Sequence, residues 1–306
     1  IFRVFNPKEP SRIVTQTEEN MKLSSGTNRL SMNLNLGKPV LWSPENPHRY
    51  ILEVLLEAGG EVVDSVKTRF GMREFTIKNG DFHLNGERIC LKAGFWEGLY
   101  PRTLAYPEDE EFVRKEILLA KEAGFNTLRP WRKPPPPPIL DLADELGMCI
   151  IDCPPIEWPE PTPQLERRVA NEVRELVLRD RNHPSVIYWE IFNEITTRAL
   201  ARLTHRMALV ARHLDPTRLI VDESGGSRAP WGAHAYLPYS TVPVEINEIH
   251  KYLRSPVDEK VYDFFLTVGE PGRLTFVSEV GYGGLPDLPR NVESYERKGF
   301  TKTVDY

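Results

Sequence analysis

The chain has 306 residues, 40% of them hydrophobic, and a formal net charge of −5 with both signs spread along its length. No apolar run approaches the ~20 residues that cross a bilayer, which excludes a membrane-spanning helix, and no one-sided basic surface exists to neutralise phosphates, which excludes nucleic acid as a partner. Its length predicts two domains and a large core.

The opening "IFRVFNPKEP" has no initiator Met and no signal-peptide pattern, so the chain reads as trimmed and carries no address. Residues 1–75 lack helical periodicity. "RLSMNLNLG" (Arg29 to Gly37), "YILEVLLEAG" (Tyr50 to Gly59) and "EVVDSVKTRFG" (Glu61 to Gly71) read as strands separated by Pro, Gly and Asn, with the turn-rich "LWSPENPHRY" between two of them. This predicts a partial immunoglobulin-like β-sandwich acting as a scaffold.

From Phe75 the rhythm changes. Two turn signals, Asn79-Gly80 and Asn85-Gly86, precede a strand near Leu91. Helix and strand then alternate: a helix from Pro107 to Gly124, a strand ending at Arg129, a helix from Ile139 to Leu146, and the strand "MCIID" ending at Asp152. A long helix from Pro163 to Arg181 leads to the strand "SVIYWEIFN", followed by a helix from Thr197 to Leu214. "RLIVDES", "GAHAY" and "LTFVSE" read as further strands, with a helix from Val257 to Val268 before the last. Alternating units with apolar strands predict an α/β fold, a (β/α)8 TIM barrel over residues 76–306 whose strand eight is lacking. Cys90, Cys149 and Cys153 form neither a disulfide framework nor a zinc spacing and read as small hydrophobes.

In such a barrel reacting groups sit at the carboxyl ends of strands. Asn193 and Glu194 end strand four, and Glu279 ends strand seven. Two carboxyls facing one cleft are what glycoside hydrolysis requires, one to protonate the leaving oxygen and one to attack the anomeric carbon. Read singly, each residue has a structural alternative: Glu194 as a helix cap, Arg129 as a buried ion pair, His234 as a buried histidine.

"DRNHPSVIYWEIFNE" (Asp180 to Glu194) resembles the acid/base segment of glycoside hydrolase family 2, the family of β-galactosidases, β-glucuronidases and β-mannosidases. "FGMREFTIKNGDFHLNGERICLKAG" (Phe70 to Gly94) is similar to that family's junction between sandwich and barrel. The resemblance implies Glu194 as general acid/base, Glu279 as nucleophile, and Asn193 as partner of the sugar 2-hydroxyl. It also implies Arg129 beside the nucleophile, and a pair His234 and Tyr236 on strand six, with Tyr236 bonded to Glu279. Trp96, Trp131 and Asp152 complete the expected substrate-binding set.

The loop "PWRKPPPPP" (Pro130 to Pro138) departs from the family pattern and predicts a stiff extended rim that presents Trp131. Glu157 and Trp158 either line the cleft or belong to a rigid loop. No Asn-x-Lys pattern follows Glu279, which favours a neutral sugar over a uronic acid. No nucleotide, metal or serine-hydrolase motif is present, so neither cofactor nor metal is expected. The expected function is a retaining β-glycosidase acting on terminal β-linked sugars. The alternatives are an endo-acting glucanase or mannanase of the same barrel group and a non-hydrolytic carbohydrate-binding barrel.

Overall fold

A computed structural model describes residues 1–100, 102–226, 232–252, 258–281 and 288–300. Strands β1 (Phe2–Asn6), β2 (Glu9–Thr17), β3 (Tyr50–Ala58) and β4 (Glu61–Phe70) form one antiparallel sheet in the order β2-β1-β3-β4. The predicted strand over Arg29 to Gly37 does not form: residues 18–40 hold no strand. Its apolar residues are separated by Ser and Asn, which favour local side-chain bonds over a ladder, and Asn35 Oδ1 indeed accepts from Gly37 N at 2.8 Å.

Strands β5 (Phe75–Lys78), β6 (Asp81–Leu84) and β7 (Glu87–Arg88) make a small meander. Both expected turns are present, with positive φ at Asn79 (54°), Gly80 (82°), Asn85 (54°) and Gly86 (86°), as a two-residue hairpin with the strands' twist demands. Phe75, Phe82 and Leu84 from this meander pack with Ile151, Ile187, Tyr188 and Leu219, plugging one end of the larger sheet.

That sheet has eight strands in sequential order. β8 (Ala93–Trp96), β9 (Thr127–Pro130), β10 (Cys149–Asp152), β11 (Val186–Asn193) and β12 (Leu219–Ser224) run parallel. β13 (Ala233–Tyr236) is reversed, β14 (Pro243–Lys251) restores the direction, and β15 (Thr275–Val280) follows parallel to β14. All eight residues of β11 are buried, which accounts for its almost continuous apolar and aromatic run. β8 and β15 are the ends of the sheet, and no eighth parallel strand lies among the described residues.

This corrects the expected sixth strand. "GAHAY" is the outgoing arm of an antiparallel hairpin, and the sixth parallel strand is Pro243–Lys251. Its opening proline and interspersed Glu245, Asn247 and Glu248 hide it from an apolar-run criterion, although Val244, Ile246 and Ile249 remain as an interrupted apolar pattern.

Helices α1 (Glu110–Glu122), α2 (Pro137–Leu146), α3 (Leu165–Asp180) and α4 (Ala201–Leu214) cover the outer face. Helices α5 (Glu259–Thr267) and α6 (Leu288–Arg297) flank β15 in the chain. The Asp109 side chain caps α1 by accepting from Phe112 N at 2.8 Å, and Pro137 opens α2, its missing N–H costing nothing there. α2 ends on Gly147 at φ 70°, where an added Cβ would lie 2.4 Å from the Pro44 carbonyl oxygen.

The first sheet is seated firmly on this wall. Trp42, fully buried, donates its indole N–H to Asp144 O at 2.9 Å, and Lys121 Nζ bonds Pro44 O at 3.1 Å together with Leu146 O and Gly147 O. Arg73, between the two sheets in sequence, donates to Pro184 O and Val186 O at the start of β11.

Candidate active site

The carboxyl ends of β9, β11, β12, β14 and β15 converge on one polar cluster. At its centre Arg129, 2% exposed, donates from Nε and Nη2 to the two oxygens of Glu190, each at 2.8 Å, and from Nη1 to Glu279 Oε1 at 2.7 Å. Nη2 also reaches Ser224 Oγ at 3.1 Å and Asn193 Oδ1 at 3.4 Å. Burial would pull the guanidinium's pKa down, but the carboxylates of Glu190 and Glu279 outweigh it and hold it well above the ordinary value. Arg132 adds a second cation to Glu190 at 2.6 Å. Glu190, whose burial alone would raise it, is held below the ordinary carboxylate value by Arg129 and Arg132.

Glu279 thus has one oxygen on Arg129, and its other oxygen accepts from the Tyr252 hydroxyl. Glu194 follows β11 directly, at φ 49°, a left-handed conformation uncommon for a residue with a Cβ. Its amide donates to Ser224 O at 2.9 Å, and its Oε1 lies 2.7 Å from His250 Nδ1. The same nitrogen is 3.5 Å from Glu279 Oε2. A carboxyl oxygen of each glutamate and His250 Nδ1 all lie within 4.8 Å of one another. Asn193, from the strand tip, directs its amide nitrogen toward Glu157 Oε1 at 3.4 Å. The Glu157 carboxyl is raised mainly by burial.

The remaining expected residues are distributed by the alternation of a strand between faces. Trp131 lies over Arg129 (5.0 Å) and Arg132 (5.6 Å) and against Phe95 (5.1 Å between ring centroids), so it belongs to the cluster's rim. Phe95 is paired in register with Arg129, and its neighbour Trp96 consequently packs against the outer, helix-side core instead.

Asp152 also departs from the cleft. Ile151 faces the interior cluster and Ile150 the helix side, so Asp152 falls on the helix side, fully buried, beside Asp180 of α3. Burial first and Asp180 second push its carboxyl well above the ordinary value.

Tyr236 bonds His205 of α4 through its hydroxyl, and the contact to Glu279 expected of it is made by Tyr252. The reason is the hairpin: β13 is not the strand whose end meets β15. His234 is held by Asp222, at 2.8 Å through its amide and 3.3 Å through Nδ1, and that bond raises its pKa.

Glu190, Arg132, Ser224, Glu248, His250 and Tyr252 were missed as site residues. Glu190 carried a usable signal, since a single carboxylate inside "YWEIF" must find a cation when the strand is buried. His250 and Tyr252 were hidden with β14.

Two groups of the described residues bring three possible metal-ligand atoms together, Asp141 with Asp144 and His183, and Glu194 with His250 and Glu279. In the second, Arg129 already supplies the counter-cation to Glu279 and the His250–Glu194 hydrogen bond explains the proximity, so the trio is read as hydrogen-bonded and not as a metal centre. In the first, Asp144 is engaged by Ser185 N and His183, bracing a loop.

Profiles of known families match two stretches of the chain: glycosyl hydrolases family 2, TIM barrel domain, over residues 75–260, and glycosyl hydrolases family 2 over residues 2–73. The chain belongs to glycosyl hydrolases family 2. Relatives within this family of glycoside hydrolases include a β-galactosidase of Pectobacterium atrosepticum, 31% identical over 210 residues, which are 66% of this chain and 20% of that protein. A β-galactosidase of Kluyveromyces lactis is 28% identical over 247 residues, 70% of this chain and 24% of that protein.

Among solved structures, a family 2 member from Bacteroides cellulosilyticus superposes with a TM-score of 0.63 at 27% identity, covering 72% of this chain and 29% of that one. A Bacteroides uniformis β-glucuronidase gives 0.77 at 24% identity, covering 93% and 36%, a likeness of fold. The chain spans about a fifth to a quarter of the length of the two β-galactosidases.

Proposed function

We infer that the cluster is the site of a retaining β-glycosidase that removes terminal β-linked sugars. The supporting observation is the placement of Glu194 and Glu279 with carboxyl oxygens within 4.8 Å, matching the roughly 5 Å of a retaining pair. Glu279, bonded by Arg129 and Tyr252, is suited to remain an anion with an oxygen ready for the anomeric carbon. Glu194, whose Oε1 meets the same His250 nitrogen that faces Glu279, protonates the departing oxygen and then takes a proton from the water that releases the sugar. Asn193, beside both, is suited to hold the 2-hydroxyl as the ring flattens.

A neutral sugar fits better than a uronic acid. Glu157, Glu194 and Glu279 gather at the opening, while the cations of Arg129 and Arg132 are already engaged by Glu190 and Glu279. A substrate carboxylate would enter a field of its own sign.

The reading is tested with a panel of aryl β-glycosides, including galactosides, mannosides and glucuronides, on the parent, Glu194→Gln and Glu279→Gln. Turnover of a neutral β-glycoside by the parent, reduced about 10²- to 10⁴-fold in Glu194→Gln, is expected. Equal background release from all three proteins would leave a carbohydrate-binding barrel without hydrolysis.

A further inference from the structure

The seryl hydroxyl of Ser224 sits at a junction. Its Oγ is 3.1 Å from Arg129 Nη2, 2.6 Å from Glu248 Oε1, 3.0 Å from His250 Nε2 and 3.4 Å from Ser278 Oγ, and the other nitrogen of that imidazole is 2.7 Å from Glu194 Oε1. Ser224, Glu248 and His250 are each at most 1% exposed, so water does not compete for these bonds.

A hydroxyl has one proton and two lone pairs. The guanidinium can only donate, so it takes one lone pair. Among the three contacts of 3.1 Å or less two arrangements remain, the contact to Ser278 Oγ being the longest and weakest of the four. If the Glu248 carboxyl is neutral, it donates to the second lone pair and Ser224 donates to His250 Nε2, which leaves the imidazole proton on Nδ1, directed at the Glu194 carboxylate. If Glu248 is ionised, Ser224 donates to it, His250 donates from Nε2, and Nδ1 accepts from a protonated Glu194. Through these three shorter contacts the protonation of Glu248 and the tautomer of His250 are coupled at one oxygen.

We propose that Glu248, Ser224 and His250 form a buried relay that stores the proton of the general acid and passes it to Glu194. This rests on the assignment of Glu194 as acid/base. In one transfer the Glu248 O–H breaks and its proton goes to Ser224 Oγ, the Ser224 proton goes to His250 Nε2, and the His250 Nδ1 proton goes to Glu194 Oε1. No atom is gained or lost, and one negative charge moves from Glu194 to Glu248.

The surroundings suit a neutral resting Glu248. Burial, and then Glu190 facing it from β11, raise its carboxyl to about 8, against Arg129 of β9, while the Ser224 and Ser278 hydroxyls face it from β12 and β15 and the Tyr188 ring lies near on β11. His250 faces Glu194, Glu279 and Arg129 besides Ser224, and burial lowers its pKa, keeping the imidazole neutral and therefore a two-way conductor.

Two measurements decide it. Imidazole nitrogen NMR on the histidine-labelled Glu194→Gln chain, whose amide at position 194 can either accept from or donate to Nδ1, with His250 assigned by a further His250→Gln change, is expected to show the Nδ1–H tautomer at about pH 6 and the Nε2–H tautomer at about pH 10. In the double variant Glu194→Gln with Glu248→Gln, which has no carboxyl at either end to ionise, the tautomer is expected not to change with pH. One unchanged tautomer in Glu194→Gln, or the same switch in the double variant, overturns the relay.

In the second, Ser224→Ala and Glu248→Gln are expected to move the alkaline limb of kcat/KM to lower pH. At mildly alkaline pH the loss for a phenyl β-galactoside, whose leaving group needs the proton, is expected to exceed that for the dinitrophenyl β-galactoside, whose does not, by about tenfold. Unmoved limbs, or equal losses on both substrates, also overturn it. The NMR readout needs no turnover, so a silent substrate panel counts against the hydrolase reading alone, and the tautomer still decides the relay.

Discussion

Glu190 and Asp152 lie on neighbouring strands, β11 and β10, and are buried to 1% and 0% exposure. On the inner face Glu190 meets two guanidinium groups and is held below its ordinary pKa, while on the outer face Asp152 meets burial and another carboxyl, Asp180, and is held well above it. Equal burial has opposite consequences, and the partner decides which. The inner pair keeps its charge in a dry place because cations face it, whereas Asp152, beside another carboxyl, keeps its proton instead.

Breaking the inner arrangement has the largest expected effect. Arg129→Met strands Glu190 and Glu279 and should cost ~3–5 kcal/mol in chemical denaturation, as removal of one partner of a buried pair does. A loss under about 1 kcal/mol would show that the carboxyls simply take up protons when the cation goes.

The two tyrosines sharpen the contrast. Tyr252→Phe removes a bond to the Glu279 anion and should lower kcat/KM by about tenfold or more, because hydrogen bonds to charged groups contribute ~1.5–3 kcal/mol. Tyr236→Phe removes a bond to His205 on the helix side and should cost ~1 kcal/mol of stability with kcat/KM unchanged. The reverse pattern would return the sixth-strand role to Tyr236.

Asp152→Asn probes the outer face through pH. Unfolded aspartate releases its proton near about pH 3.9, whereas folded Asp152 retains it well above that. The folded state therefore loses ground as pH rises from about 4 toward the folded pKa. Asp152→Asn should match the parent at about pH 4 and exceed it at about pH 8 in thermal unfolding. The smallest effect is expected from Arg179→Met. It removes a bidentate pair with Asp180 from a side chain 38% exposed, for a loss of ~1 kcal/mol or less.

The barrel was legible because strands β9 to β12 are buried on both faces, and two of them write nearly unbroken apolar runs, "SVIYWEIFN" and "MCIID". Arg129, Asn193, Glu194 and Glu279 could be placed because they end such runs or stand at their tips. Of the residues that escaped, Glu248 and His250 lie on β14 and Tyr252 follows it; the polar chemistry in that strand's interior-facing path makes it useful and also erases its apolar signature. Trp96 and Asp152 were placed one face wrong for a simpler reason. Near a strand end a shift of one residue exchanges inside for outside, and residue type alone does not say which way the pleat falls.

The seam at Trp42, Arg73 and Gly147 has a mechanical consequence. With the indole bonded to Asp144, the guanidinium bonded to the root of β11 and a backbone approach that admits no side chain at Gly147, the two modules share a weld and not a hinge. A cargo fused to Ile1 would tumble with the barrel as one body, and a pull on that end would be felt at the base of the strand that carries Glu194.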